Sequence, residues 1–265
     1  MKTRVIAALV GLAIIAPVLL LGGQTGLRVV VLLVALVCCN EYASMVFPRR
    51  TLLYTVGLGL WVVGLAFGSW WLPTSWAVAG LAVGWIASVS SWVFWRPSSL
   101  ADGVRDVGFF FLGVSWVGLL LFLPAIRALD QGLEWVGMVL AISWASDSGA
   151  YLAGRTWGRR PLHPSVSPKK TWEGFFGGVL MAGIIAAWFG SSMWPDLSVA
   201  PLFLMGMVFA SAGVVGDLWE SFIKRSFGVK DSGWIMPGHG GFLDRIDSVL
   251  FVAPLVYGYA LWQGG

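Results

Sequence analysis

Charge is the scarcest property of this chain. Only 11% of its 265 residues are Asp, Glu, Lys or Arg, 58% are hydrophobic, and the mean hydropathy is +0.81. Soluble domains carry roughly 25% charged residues, so this composition excludes a wholly water-facing surface and places the chain in a bilayer. Cysteine is almost missing too. Cys38 and Cys39 are neighbours inside an apolar run, which excludes a disulfide framework and leaves them as small apolar residues. No basic run interleaves with aromatic residues, so the net charge of +4 reflects membrane topology and not a nucleic-acid footprint. Internal repeats, low-complexity tracts and linkers between soluble domains are absent as well.

What is present is a series of about nine apolar segments, near 5–23, 27–47, 52–69, 74–95, 107–126, 134–153, 174–194, 198–219 and 248–263. Each approaches the ~20 residues that a helix needs to cross ~30 Å of hydrocarbon. Lipid offers the backbone no hydrogen-bond partner, and uninterrupted apolar runs do not alternate as barrel strands do. The expected fold is therefore all-α, a polytopic integral membrane helical bundle of about nine transmembrane helices. N-terminal transmembrane helices occupy 1–130, and a C-terminal transmembrane catalytic region with cytoplasmic loops occupies 131–265. The first segment follows Lys2 and Arg4 as a secretory signal does, but Leu21-Gly22-Gly23-Gln24 lacks a small-x-small cleavage site, so it is expected to remain a span. With a cytoplasmic N-terminus, every Lys and Arg except Arg28 and Arg127 falls on the cytoplasmic side. Trp70, Trp71, Trp95, Trp194 and Trp262 stand near span ends, where indoles anchor at the interface; packing is the other role open to them. Glu41 is expected to face the headgroups, and Asp102-Gly103-Val104-Arg105-Asp106 to form a solvated loop.

Polar stretches interrupt the second half. Ser143, Asp147, Ala150, Tyr151 and Gly154 share one face of the sixth segment, and a carboxylate there either marks a function or is hydrated near the interface. In Ser167-Pro168-Lys169-Lys170-Thr171-Trp172-Glu173-Gly174, Ser167 reads as an N-cap and Pro168 as the first residue of the seventh helix. Lys169 and Lys170 then oppose the helix dipole unless an anion sits there, which suits a phosphate; positive-inside topology alone also explains the lysines. Asp217, Glu220, Ser221 and Lys224 follow helical spacing, with Glu220 and Lys224 forming either an internal salt bridge or part of a reaction centre. Ser221–Asp247 gathers Lys224, Arg225, Lys230 and Arg245, the carboxylates Asp231, Asp244 and Asp247, and the bend Pro237-Gly238-His239-Gly240-Gly241. Asp217, Asp244 and Asp247 are oxygen ligands suited to Mg²⁺. His239 serves as base, ligand or turn residue, and His163 as an ordinary loop residue.

Written out, the last stretch is Ser-x-Ile-Lys-Arg-x4-Lys-Asp-x-Gly-x2-Met-Pro-x-His-Gly-Gly-Phe-x-Asp-Arg-Ile-Asp. It resembles the signature of the phosphatidate cytidylyltransferases (CDP-diacylglycerol synthases), with Met236 in place of the usual Leu, Ile or Phe. The elements around Asp147-x-x-Ala-Tyr-x-x-Gly-Arg, Ser167 to Gly174 and Gly216-Asp217-x-x-Glu220-Ser221 are similar to that family as well. The resemblance implies a nucleotidyltransferase that joins CTP and phosphatidic acid into CDP-diacylglycerol and pyrophosphate, with Mg²⁺ and a second cation of unspecified identity. It implies metal ligands at Asp217, Asp244 and Asp247, and catalytic roles for Asp217, Asp244, Lys230, Asp231 and His239. Substrate contacts are expected from Ser167, Lys169, Lys170, Thr171, Glu173, Ser221, Lys224, Arg225, Arg245, Asp147 and Tyr151. The expected partners are the two substrates, the lipid bilayer and a second copy in a homodimer; the expected location is the bacterial inner membrane, with the site on its cytoplasmic side. Two rivals share parts of the pattern. A CTP-dependent polyprenol or dolichol kinase differs in which phosphorus is attacked, and an ion-coupled transporter needs broken helices or an inverted repeat, neither of which is found.

Overall fold

The computed structural model describes residues 22–94, 99–235 and 240–264. The chain is all-helical apart from one hairpin. Its helices are α1 (Gly23–Val46), α2 (Thr51–Trp71), α3 (Thr74–Phe94), α4 (Leu100–Gly118), the short α5 (Phe122–Arg127), α6 (Gly132–Trp157), α7 (Trp172–Met193), α8 (Val199–Ser226) and α9 (Leu243–Trp262). Among the described residues, six stretches are long and apolar enough to cross a membrane by length and composition: α1, α2, α3, the run from α4 through α5, α7 and α8. α6 and α9 are as long, with 26 and 20 residues, but carry the acidic groups Asp147, Asp244 and Asp247. The chain is thus an all-α, multi-pass membrane protein. The first expected span and Trp95 lie outside the described residues.

The described helices form two compact units. In Arg28–Leu121, the rest of α1 packs with α2 to α4 around Tyr42, Leu58, Val62 and Val117, all fully buried. The Tyr42 hydroxyl donates to the Phe109 carbonyl at 2.7 Å, and a Cβ at Gly113 would overlap its ring, so the glycine makes room for it. Two expectations fail here. Glu41 is only 2% exposed, so it is buried in the unit instead of facing headgroups. Asp102–Asp106 is helical, not a loop: Ser99 caps α4 by accepting from the Asp102 N–H at 3.1 Å, and Asp102 sits in the first turn, where its charge suits the helix dipole.

The other unit runs from Phe122 onward together with the start of α1. Within it, α7 packs between α6 and α8, and α9 lies against α8 and α6. In a bilayer, helix contact depends on small residues that let backbones approach. A Cβ at Gly149 would come 2.7 Å from the Gly177 carbonyl, one at Gly178 2.6 Å from the Ser146 carbonyl, and one at Gly206 2.7 Å from the Ala182 carbonyl. Trp194 stacks on Trp135 at 3.8 Å and is buried, so it is a packing residue, whereas Trp71 and Trp262 are exposed at helix ends as anchoring predicts.

Between α6 and α7 stands an antiparallel hairpin, β1 (Pro161–His163) and β2 (Ser167–Thr171), with Pro161 opposite Thr171 and His163 opposite Ser167. This corrects the expected helix start. α7 begins at Trp172, and its cap is Thr171, whose Oγ1 accepts from the Gly174 N–H at 3.1 Å. Pro168 fits the strand because its fixed φ suits extended backbone and both strands of a two-stranded sheet are edges. Lys169 and Lys170 are therefore strand residues and do not lie in the first turn of a helix.

Replacing Gly178 by Leu drives a side chain into the α6 backbone. Overpacking of this kind costs about 1–3 kcal/mol, so the thermal midpoint in detergent should fall by several degrees. Gly258→Ala, where a Cβ meets nothing within 4 Å, is the control and should leave the midpoint unchanged. Equal midpoints for both variants would show slack at the α6–α7 contact.

Candidate active site

Gly216 on α8 sets the first pair of acids. A Cβ there would lie 2.6 Å from the Asp247 carbonyl and 2.7 Å from the Phe251 ring, so only glycine lets α9 lie this close and bring Asp247 beside Asp217. Asp147 of α6 faces the same space: the charge of Asp217 acts on both Asp147 and Asp247, and Asp247 also feels Glu220 and Asp147. Lys170, carried by β2, pairs with the Asp217 carboxylate, and the charges of Lys170 and Arg245 offset that of Asp147. Three helices and the hairpin thus meet at one acidic cluster.

A second, deeper arrangement lies one turn along α8. Lys224 is 8% exposed and lies between two carboxylates, donating to Glu220 Oε2 at 2.8 Å and to Asp244 Oδ1. The other Asp244 oxygen, Oδ2, accepts from the Ser232 N–H at 2.9 Å, the Ser232 hydroxyl at 2.9 Å and the Gly241 N–H at 2.8 Å. Gly240 holds φ +80°, and a Cβ on it would stand 2.6 Å from that oxygen, so the turn requires glycine. At the other end of the loop, Gly228 at φ +71° terminates α8, with the Val229 N–H donating to the Lys224 carbonyl at 2.9 Å. Arg225 Nη1 reaches the Val229 carbonyl at 3.0 Å. The loop from Phe227 to Phe242 is therefore fastened at both ends around Lys224 and Asp244.

The two groups divide the expected metal ligands. Asp217 and Asp247 lie together with Asp147, while both Asp244 oxygens are engaged within the protein. Of the two readings open for Glu220 and Lys224, the internal salt bridge is present. By formal charge, Asp147, Asp217 and Asp247 stand with Lys170 and Arg245, and Glu220 and Asp244 stand with Lys224. Glu220 Oε1 is buried with no hydrogen-bond partner among the described residues. The oxygen donors Asp147, Asp217 and Asp247 are of the kind that a hard divalent cation takes. Among the described residues no three acidic, Cys or His groups form a ready-made cage.

The remaining expected residues are scattered around this centre. Glu173 Oε2 accepts from the Arg159 and Arg160 N–H groups at 3.1 and 3.2 Å, tying the start of the hairpin to the first turn of α7. The Tyr151 hydroxyl accepts from Arg155 Nη1 at 2.7 Å. Ser167 sits in the hairpin, Ser221 is buried, and Lys169, Lys230 and Asp231 are exposed. His239 lies outside the described residues. Ser232 and the Gly241 N–H were not foreseen, because nothing in a loop serine marks its backbone as the partner of a carboxylate twelve positions away.

Lys224→Met leaves Glu220 and Asp244 buried without their cation. Breaking a buried pair costs about 3–5 kcal/mol, so the variant should melt well below the parent and expose the Phe227–Phe242 loop to protease. Parent-like stability and protection would show that the loop is held by something else.

A model of the cytidylyltransferase family matches residues 2–262. The chain is 34% identical over 267 residues to the phosphatidate cytidylyltransferase of Staphylococcus haemolyticus, with 97% of each chain covered. It is 36% identical over 262 residues, again 97% of each, to that of Staphylococcus epidermidis. The protein of the same name from Bacillus subtilis is 43% identical over 154 residues, 57% of each chain. A match along almost the whole length, joined to a bundle that sets the aspartates and lysines of the polar motifs face to face, means that the chain belongs to the cytidylyltransferase family.

Proposed function

We propose that this protein transfers the CMP unit of CTP to phosphatidic acid, giving CDP-diacylglycerol and pyrophosphate. The observation that supports this most directly is the convergence of Asp147, Asp217 and Asp247 with Lys170 inside a membrane bundle that shares its full length with phosphatidate cytidylyltransferases. A phosphate monoester has a second pKa near 6 and is mostly dianionic at neutral pH, so the nucleophile needs no strong base. Its oxygen attacks the α-phosphorus of CTP, the bond from that phosphorus to the bridging oxygen breaks, and pyrophosphate leaves. Placement and charge neutralisation then carry the rate.

The protein's own groups divide that work. Lys170, held by Asp217, and Arg245, whose charge reaches Asp147, bring cations to a site where two anionic substrates must meet. The exposed Lys169 and Lys230 add positive charge for the triphosphate and the lipid phosphate. Asp217 and Asp247, with Asp147, would hold Mg²⁺, which when bound supplies screening of the phosphates and of the departing pyrophosphate. Asp244 acts through Lys224, fixing the loop that carries Lys230 and Asp231. The concentration of Lys and Arg on one side of the spans supports a site on the cytoplasmic face of a bacterial inner membrane.

Label tracing in proteoliposomes with Mg²⁺ tests the reaction. Phosphorus label at the α position of CTP should pass into the lipid fraction, and γ label should leave as pyrophosphate. γ Label in the lipid would instead establish a lipid kinase, and no lipid labelling by a folded preparation would favour a transporter.

The division of the carboxylates is tested by titrating Mg²⁺ in the same assay. Asp217→Asn and Asp247→Asn should each lower turnover by about 10²-fold or more, as loss of an electrostatic group at a reacting centre does, and raise the Mg²⁺ needed for half-maximal rate. Asp244→Asn should lower turnover with the Mg²⁺ requirement unchanged. A raised requirement in Asp244→Asn alone would put the cation on the Lys224 side of the site.

A further inference from the structure

The unit Arg28–Leu121 contains none of the residues of the acidic centre, yet it encloses a cavity of about 740 Å³, within the ~300–1,000 Å³ span of ligand pockets. The cavity lies between α2 and α3, with Phe110 of α4 at one end, and it reaches from Arg50 and Tyr54 to Leu72 and Trp76. That is the whole length of α2, whose 21 residues rise by ~1.5 Å each and so match the ~30 Å of a hydrocarbon core.

Glycine creates the space. Gly64 of α2 and Gly80 of α3 line the cavity, and a Cβ on either would meet nothing within 4 Å. Close helix packing therefore does not account for glycine at these positions, in contrast to Gly149 and Gly178 in the other unit. The two helices are nevertheless fixed to each other: Trp61 Nε1 donates to Ser88 Oγ at 2.9 Å, and a Cβ at Gly84 would lie 3.2 Å from the Trp61 ring. The groove is a built feature and not a gap between loosely placed helices.

Its lining is apolar along most of its length and polar toward one end. Arg50 stands there with Ser91 and Tyr54, and the Tyr54 hydroxyl donates to Asp106 Oδ2 at 3.1 Å. Arg49 is exposed beside it. No residue of α3 is buried, although the helix touches α2 and α4. A groove as long as the hydrocarbon core, empty along its middle and carrying Arg49 and Arg50 against the carboxylate of Asp106 at one end, suits an amphiphile with a negative head. We propose that it is a specific site for a membrane phospholipid with an anionic phosphate headgroup, the phosphate at Arg50 and an acyl chain running past Gly64 and Gly80. This site stands on the Arg28–Leu121 unit alone and is independent of the transferase chemistry.

The test uses the full chain in phosphatidylcholine nanodiscs with a trace of phosphatidylglycerol that carries a photoactivatable group in mid-chain, the crosslinked peptides being mapped by mass spectrometry. Labelling should concentrate on 57–68 and 80–84, and unlabelled phosphatidylglycerol should compete about fivefold better than phosphatidylcholine, the size expected of one basic residue facing a phosphate. Arg50→Gln should remove that preference. Gly64→Phe combined with Gly80→Phe should abolish groove labelling and leave the other labelled positions unchanged. If the filled variant does not fold, the competition in the parent protein still decides. Labelling spread evenly over all exposed helix faces, no preference for the anionic lipid, or peptide crosslinks between two copies at 80–84 would each overturn the proposal.

Discussion

The Lys224 ammonium sits buried between Glu220 and Asp244, and the architecture around the site depends on it. A carboxylate in a bilayer-embedded bundle is expensive unless its charge is met. Lys224 meets two of them, one on its own helix and one on α9, and so ties α8 to α9. Asp244 extends the tie to the loop through Ser232 and Gly241. Removing any member leaves a buried charge or a set of unmet N–H groups. The loop that carries Lys230 and Asp231 is thus tied to both helices through this charge balance, while Trp234 and Ile235 stay exposed.

Around that tie the protein keeps a second set of carboxylates incompletely neutralised. Asp147, Asp217 and Asp247 come from three helices and meet because glycine permits it: Gly216 admits the α9 backbone, and Gly149 and Gly178 bring α6 against α7. Lys170 reaches Asp217 from a hairpin anchored by Thr171 and Glu173. Lys224 binds one set of carboxylates into the structure, and the other set is the one proposed to meet cation and phosphate. Membership of the cytidylyltransferase family gives that separation a chemical purpose, since its reaction must bring two phosphate anions together at the membrane surface.

The Arg28–Leu121 unit follows different rules. Its packing centres on Tyr42 and Gly113, and it leaves a long groove along α2 and α3 where glycine is not filled by a neighbour. The proposed lipid would cover apolar surface of α3 that its contacts with α2 and α4 leave exposed. Gly64 and Gly80 thus leave space open along the groove, whereas Gly149 and Gly178 bring backbones together.

Hydropathy, as a summed property of many residues, was sufficient to establish an all-α membrane bundle, and the spacing of Asp217, Glu220 and Lys224 was sufficient to place them on one helical face. The motifs from Asp147 onward also pointed to the second half of the chain, where the polar groups of Asp217, Lys170, Lys224 and Asp244 pair. Three things were not legible. Ser167-Pro168 has the composition of a helix start, yet the extended state of Pro168 competes with it and the pairing with Pro161–His163 won. Asp244 and Asp247 look alike at three residues apart, but one faces Lys224 and the loop while the other faces Asp217, a difference set by the packing of α9 on α8. Glu41 shows no sign in its surroundings of being buried, because burial in a bundle depends on which neighbours cover a face and not on the residue itself. Composition and periodicity therefore determined the fold class and the chemical inventory, whereas only tertiary contact decided which charges neutralise one another and which remain available for phosphate and metal.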